Sequence, residues 1–183
     1  MEAKINELQQ QTDFYLTELR TVFDKINAKK TGRVLSYFTS SLNMSYADDE
    51  ESLCLCSYHI WNIGNVPLTN PTITIKLAED SPFTFSGRYI HSIFQRNLRQ
   101  TNQNEWVRIN NDGHKNTFSF KPLEKTVIKP NEILSFEQFQ IRWLNNTPCG
   151  ESITGITYCD QFQDGIAAIN PINLSVITQD QEE

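Results

Sequence analysis

Long apolar runs are missing from this sequence. The longest, such as residues 53–56, are far shorter than the roughly 18 apolar residues that a membrane-spanning helix needs. The first seven residues also lack the apolar stretch of a signal peptide. We therefore expect a soluble protein that is cytoplasmic at synthesis and has no membrane partner, which leaves membership of a larger assembly open.

Positive charge is also scarce, because 16 Lys and Arg residues are outnumbered by 22 Asp and Glu residues and the formal net charge is −6. An acidic surface repels a phosphate backbone, so we expect no nucleic-acid partner. At about 150 residues per domain, the length predicts one domain plus an appendage. A core of this size buries roughly 70% of the surface of the unfolded chain, so it needs no metal or disulfide to fold.

Glycine is scarce and unclustered, so the chain has no glycine-rich phosphate loop, and it has no Gly-x-Ser-x-Gly nucleophile elbow. His59, His91 and His114 have no Cys or Ser nearby in a recognisable motif. Residues 160–165 lack the acidic density of a calcium loop and are interpreted as a solvated loop. We therefore expect no enzyme activity, no catalytic residue and no cofactor.

The four cysteines leave three interpretations open. Cys54 and Cys56 with His59 suggest a zinc site that Cys149 and Cys159 could complete. Strand parity opposes this, because Cys54 and Cys56 share one face of a strand and His59 points to the other. A disulfide between the two pairs would need an oxidising compartment. Buried, reduced and metal-free thiols are the interpretation we favour.

The N-terminal segment has the clearest periodicity in the chain. Its seam residues recur at alternating spacings of three and four, which is the a/d pattern of a heptad helix. They are Ile5, Leu8, Thr12, Tyr15, Leu19, Val22 and Ile26. Leu16 and Phe23 occupy e positions and widen the apolar face. The pattern predicts a helix over residues 1–31 that either packs on its own domain or, as we favour, pairs with a copy of itself or a partner helix.

From residue 33 onward the apolar spacing changes to two, as in strands. Residues 72–77 alternate cleanly, and so do residues 138–143. Further strands are predicted at 34–39, 53–63, 105–109, 117–120, 127–128, 133–136, 152–159 and 172–177. Turn residues separate them, and no second helical pattern is long enough for a βαβ unit. We predict an all-β antiparallel sandwich over residues 32–183 that ends in an acidic tail.

Two short segments resemble known modules. Residues 59–75, HIWNIGNVPLTNPTITI, and residues 128–136, IKPNEILSF, resemble the strand–turn–strand units of bacterial immunoglobulin-like modules of the CARDB type. In both segments the resemblance lies in the turn residues. It implies an immunoglobulin-like β-sandwich and assigns no catalytic residue.

Residues 81–99 combine aromatic residues with arginine and contain no acidic residue. Such a composition is typical of binding surfaces. The candidate partner-binding residues are Arg88, Tyr89, Arg96 and Arg99. The alternative is structural: the aromatic rings close one end of the sandwich, and the arginines pair with the acidic residues 48–51.

These observations favour a non-enzymatic, self-associating structural or interaction protein. By analogy of architecture, a helix that multimerises and a sandwich that presents loops suit a bacterial or phage assembly component. The competing hypothesis is a ligand- or glycan-binding module, or an enzyme, with a site around residues 81–99 to which His59 or His114 contributes.

Overall fold

The computed structural model describes residues 2–28, 30–45, 50–91, 105–110, 116–144 and 148–176, with helix side chains from residue 4 to residue 25. The chain divides into two compact units, residues 1–31 and residues 32–183. Helix α1, Glu2–Ala28, makes up the first unit. Within the described residues, no helix is long and apolar enough to cross a membrane.

Twelve strands make up the described part of the second unit. They are β1 (Val34–Asn43), β2 (Glu51–Asn62), β3 (Leu68–Thr69), β4 (Thr72–Lys76), β5 (Thr84–Ser86), β6 (Trp106–Arg108), β7 (Thr117–Pro122), β8 (Val127–Ile128), β9 (Ile133–Leu144), β10 (Cys149–Cys159), β11 (Phe162–Ala167) and β12 (Ile172–Val176). One sheet has the order β1-β2-β9-β5, and the larger has the order β11-β10-β4-β7-β6 with β12 also on β10. Strands β3 and β8 pair separately, and all of these pairings are antiparallel.

The two large sheets face each other across an aromatic core. Phe85 of β5 stacks on Phe118 of β7 with ring centroids 4.3 Å apart, and Phe120 stacks on Phe136 at 4.6 Å. The Tyr58 hydroxyl of β2 shares a 2.9 Å hydrogen bond with a threonine hydroxyl of β10. The described residues are therefore mostly antiparallel β with one N-terminal helix, which confirms the predicted all-β sandwich.

Gly155 of β10 makes this close packing possible. A Cβ atom at this position would lie 2.6 Å from Cζ of Phe38 and closer still to the ring of Tyr58. The rings of Phe38 and Tyr58 meet edge to face with centroids 4.8 Å apart. The absence of a side chain on β10 therefore provides the space into which two rings of the facing sheet fit.

Strand β9 is continuous, whereas the sequence pattern predicted two strands, 133–136 and 138–143. A β-bulge joins the two halves, because the register with β2 shifts near Ser57 and Gln138 has a φ of 58°. The backbone N–H of Gln138 donates a 3.3 Å hydrogen bond to the Ser57 hydroxyl. One extra residue changes which face the alternation buries, so Phe136 and Phe139 are both buried although they are three residues apart.

One further expectation was right in part. Residues 160–165 were interpreted as a solvated loop, and most of them are exposed, but the chain turns at residues 160–161 and returns as β11 beside β10. Gly165 lies within β11 and has a φ of 81°, a backbone conformation that glycine adopts readily. No strand was predicted within segment 81–99, but the segment contains β5, which joins the edge of the smaller sheet beside β9.

Asn62 joins the two segments on which the family resemblance rests. It is fully buried at the end of β2. Its Nδ2 atom donates hydrogen bonds to the carbonyls of Val66 at 2.8 Å and Ile128 at 2.9 Å, and its Oδ1 atom accepts one from the N–H of Gly64 at 3.0 Å. Asn131 N–H also donates to the Asn62 carbonyl at 2.8 Å. One polar side chain therefore holds two loops against the core.

We predict that Asn62→Ala lowers the free energy of unfolding by about 3 kcal/mol, because buried backbone groups lose their partners. Urea denaturation of the variant and of the parent measures this. Asn173→Ala, at an exposed position of β12, is the matched control and should change stability by less than about 0.5 kcal/mol. Equal small effects at both positions would contradict the role given to Asn62.

Candidate functional site

Helix α1 forms because its 27 residues contain no Gly or Pro. Its three threonines are accommodated by side-chain hydrogen bonds to the carbonyls one turn earlier. The hydroxyls of Thr12 and Thr17 donate at 2.8 Å, and that of Thr21 donates at 2.9 Å. The positive charge of Lys25 in the last turn stabilises the helix by interacting with the negative end of its dipole. The sequence alone thus accounts for a long, regular helix.

One side of α1 has an exposed apolar stripe. The stripe comprises Ile5, Leu8, Tyr15, Leu16, Leu19, Val22 and Phe23, whose side chains are 49–64% exposed. Thr12, which the heptad includes, is exposed as well, and the side chain of Ile26 lies outside the described residues. Contiguous apolar surface of this kind is typical of an interaction site rather than of a solvated helix face.

The flanks of the stripe differ in polarity. The e side consists of Gln9, Leu16 and Phe23, so it extends the apolar surface. The g side consists of Lys4, Gln11, Glu18 and Lys25. Side chains at e and g decide partner and orientation when two helices pair. The stripe therefore has one apolar and one charged border.

Two aromatic residues in the described part of segment 81–99 belong to the core. Phe83 and Phe85 are buried, and Phe83 packs edge to face on Trp143 with centroids 5.5 Å apart. The ring of Tyr89 lies 4.9 Å from that of Phe120 and is half-buried. Arg88 is exposed, whereas Arg96 and Arg99 lie outside the described residues. The described rings therefore pack in the sandwich, and the pairing of the arginines with residues 48–51 stays a prediction.

His59 lies on the outer face of the smaller sheet and is held on both sides. Its Nδ1 atom shares a 2.8 Å hydrogen bond with the Ser135 hydroxyl, and its Nε2 atom shares a 3.0 Å bond with the Thr39 hydroxyl. The ring also lies 4.9 Å from that of Tyr37. Burial lowers the pKa of His59, and the charge of Glu137 opposes this.

Sequence reasoning missed the partners of His59 because they lie 76 and 20 residues away along the chain. The signal that could have found them is the strand alternation itself, which places Tyr37, His59 and Ser135 on one face once the register is known. The group that supports the histidine is a threonine hydroxyl rather than a carboxylate, unlike the support in a Ser-His-Asp triad. The cluster therefore orients the ring, and His114 of the competing hypothesis lies outside the described residues.

The pKa of His59 should be measurable as a midpoint below 6.5 in a titration followed by NMR of the ring protons. An unfolded histidine has a pKa near 6.5. The contribution that the neutral ring makes to the free energy of unfolding is therefore fully present above about pH 6.5. This contribution is lost as the pH falls through the lower folded pKa. The variant His59→Gln should lose less stability over that interval, and a midpoint at or above 6.5 would contradict the assignment.

The four thiols are free in the structure. Cys54 and Cys56 point into the core from β2, on the face opposite to His59, as strand parity predicted. Cys159 is also buried, and Cys149 is half-buried. Within the described residues, no group of three His, Cys, Asp or Glu side chains could hold a metal ion.

Comparison with known proteins assigns no family. No protein-family model and no curated protein matches the chain. The structure is similar to BslA, a bacterial hydrophobin, with 11% identity, a TM-score of 0.41, and coverage of 82% of this chain and 98% of that one. It is also similar to a cohesin module from a Clostridium perfringens family 33 glycoside hydrolase, with 7% identity, a TM-score of 0.39, and coverage of 79% and 96%.

A third similar structure is a GH20 exo-β-N-acetylglucosaminidase from Vibrio harveyi, with 9% identity and a TM-score of 0.31. The alignment covers 81% of this chain but only 19% of the enzyme.

Proposed function

We propose that the protein is a non-enzymatic, self-associating structural or interaction protein in which α1 pairs with the α1 of a second copy. The observation that carries the proposal is the apolar stripe, seven large side chains on one helix that are each about half exposed or more. Exposing such a stripe to water is unfavourable, and burial against a matching surface would remove this free-energy cost. A second copy offers the same heptad period and therefore a matching surface.

The size of the stripe fits a modest association. Moving one large apolar side chain from half exposed to buried gains on the order of 1 kcal/mol. Association costs an estimated 4–15 kcal/mol, roughly, in lost translational and rotational freedom. Since two helices contribute seven side chains each, gain and cost are of the same order. We expect a dimer that forms at micromolar concentrations.

The residues of the seam favour an antiparallel pair. In that arrangement each a position faces a d position of the partner. Pairing Leu8 with Leu19 of the second copy also pairs Ile5 with Val22 and sets the small Thr12 against the larger Tyr15. A parallel pair in register would instead place two threonines together in one layer and two tyrosines in another. Large-against-small layers fill the interface more evenly.

The flanking positions favour the same orientation. In an antiparallel pair the e positions of both copies share one border, so Leu16 and Phe23 lie on the same side as those of the second copy. The g positions share the other border, which brings the charged residues Lys4, Glu18 and Lys25 of the two copies together. In a parallel pair, Leu16 and Phe23 would lie beside the polar Gln11 and Glu18. Both borders of the stripe therefore match better when the helices run in opposite directions.

We further propose that the sandwich is of the immunoglobulin-like type that the resemblance implies. The hydrogen bonds of Asn62 support this, because they bring residues 59–75 and 128–136 together as adjoining turns. A sandwich presented on a pairing helix suits an assembly component. The described contacts of Phe83, Phe85 and Tyr89 favour a structural role for that segment over a ligand site.

Light scattering with in-line chromatography tests self-association directly. The full chain should be a dimer at tens of micromolar. The variant Leu19→Glu should be a monomer with an unchanged β-sheet circular dichroism spectrum, because burying an unpaired carboxylate costs several kcal/mol, roughly. Gln10→Glu adds the same charge outside the stripe and should remain a dimer.

A monomeric parent protein at these concentrations would refute the proposal. Global unfolding of Leu19→Glu would instead make Leu19 part of the sandwich core. Dissociation of Gln10→Glu together with Leu19→Glu would attribute the effect to net charge rather than to the stripe.

A further inference from the structure

Cys54 and Cys56 lie side by side in the core, two residues apart on the inner face of β2. Their sulfur atoms are 3.4 Å apart, and the thiol of Cys56 donates a hydrogen bond to the sulfur of Cys54. The two side chains are 2% and 0% exposed. The pair is therefore a preformed dithiol in an apolar setting.

The hydrogen bond gives the two thiols different pKa values. Donation from Cys56 lowers the pKa of Cys54 to about 7, against the effect of burial, and the hydroxyl of Ser40 contributes in the same direction. The same contact, together with burial, raises the pKa of Cys56. At neutral pH the pair thus presents one nucleophilic sulfur with a proton donor beside it.

The separation of the two sulfurs discriminates between ligands. Tetrahedral zinc places its sulfur ligands about 3.8 Å apart and requires four ligands, and within the described residues no third His, Cys, Asp or Glu joins this pair in a metal-binding group. A linear two-coordinate ion, as copper(I) often is, holds its two sulfurs on opposite sides and hence well beyond contact distance. A disulfide is also disfavoured, since Cα atoms two residues apart on a strand are about 6.7 Å apart, near the upper limit of about 6.8 Å.

We propose that Cys54 and Cys56 form a chelating site for trivalent arsenic compounds. Trivalent arsenic makes three pyramidal bonds with angles close to right angles, so two sulfur ligands on it lie nearly in contact, as these sulfurs do. With an organoarsenic oxide, two As–S bonds form and the arsenic–oxygen bond breaks. The oxygen leaves as water with the two thiol protons, and arsenic remains trivalent.

Entry to the site is through the uncovered half of strand β1. Ser40 and Leu42 pair with the two cysteines, and residues 39–43 are exposed. The other half is covered, because the Asn170 side chain bonds both the N–H and the carbonyl of Phe38 at 2.9 Å. Local opening of the uncovered half would expose the sulfurs. The reaction should therefore be slow but stoichiometric in the folded protein.

Phenylarsine oxide and native mass spectrometry of the full chain test the site. The parent protein should gain one reagent less one water per chain, and the adduct should survive excess monothiol and be reversed by a dithiol. Cys54→Ser and Cys56→Ser should each lose this monothiol-resistant adduct. Cys149→Ser, which removes a half-buried thiol outside the pair, should keep it.

The result with the parent protein alone can overturn the proposal. No adduct, or one that monothiol removes, would mean that the two sulfurs do not chelate. Loss of the adduct in Cys149→Ser would place the site elsewhere, and loss of two hydrogens without arsenic would identify a disulfide instead. Peptide mapping after alkylation gives a readout that does not depend on variant folding: arsenic should protect Cys54 and Cys56 together.

Discussion

The β-unit depends on the burial of one face of strand β2. Alternate residues of this strand, from Ser52 to Asn62, are all buried, and β1 and β9 pair along both of its edges. Its tyrosine and the phenylalanine of β1 pack over Gly155 of the facing sheet. At its end, Asn62 fixes the two turns that close the sandwich. Core, sheet pairing and loop geometry are thus set by one strand.

The period of the apolar residues was sufficient to predict the N-terminal helix and most of the strands. It was insufficient where a local backbone feature changes the period. The bulge at Gln138 resets the alternation of β9, and Gly165, with its positive φ, lies inside a strand that was interpreted as a loop. Strand β5 is only three residues long, so alternation could not reveal it. Each miss is a backbone event of one to three residues.

The candidate functional residues could be predicted from the sequence only in part. The heptad placed the seam on one helix face, but its exposure could only come from the structure. The partners of His59 and the contact between Cys54 and Cys56 depended on register and on rotamers, which no spacing rule supplies. The composition of segment 81–99 could not predict whether its aromatic residues are buried or exposed, because the same residue types occur in both settings.

The helix and the sandwich are stabilised by different means. The sandwich buries a continuous aromatic core of its own. In proteins most helical stability comes from packing of an apolar face, and the 27-residue helix α1 has such a face exposed. Pairing with a second copy would therefore stabilise the helix and assemble the protein in one step.

Crosslinking of a single introduced thiol tests this account most directly, because it reports both pairing and direction. In a Cys149→Ser background, Leu16→Cys should crosslink to itself with a short bis-maleimide, since the antiparallel register that pairs Leu8 with Leu19 places residue 16 about 7.5 Å along the axis from its own copy. Gln9→Cys is also an e position, but in the same register it would lie nine residues, or about 13.5 Å at 1.5 Å per residue, from its copy and should crosslink far less. Equal crosslinking of both variants, or none of either, would contradict the antiparallel pair.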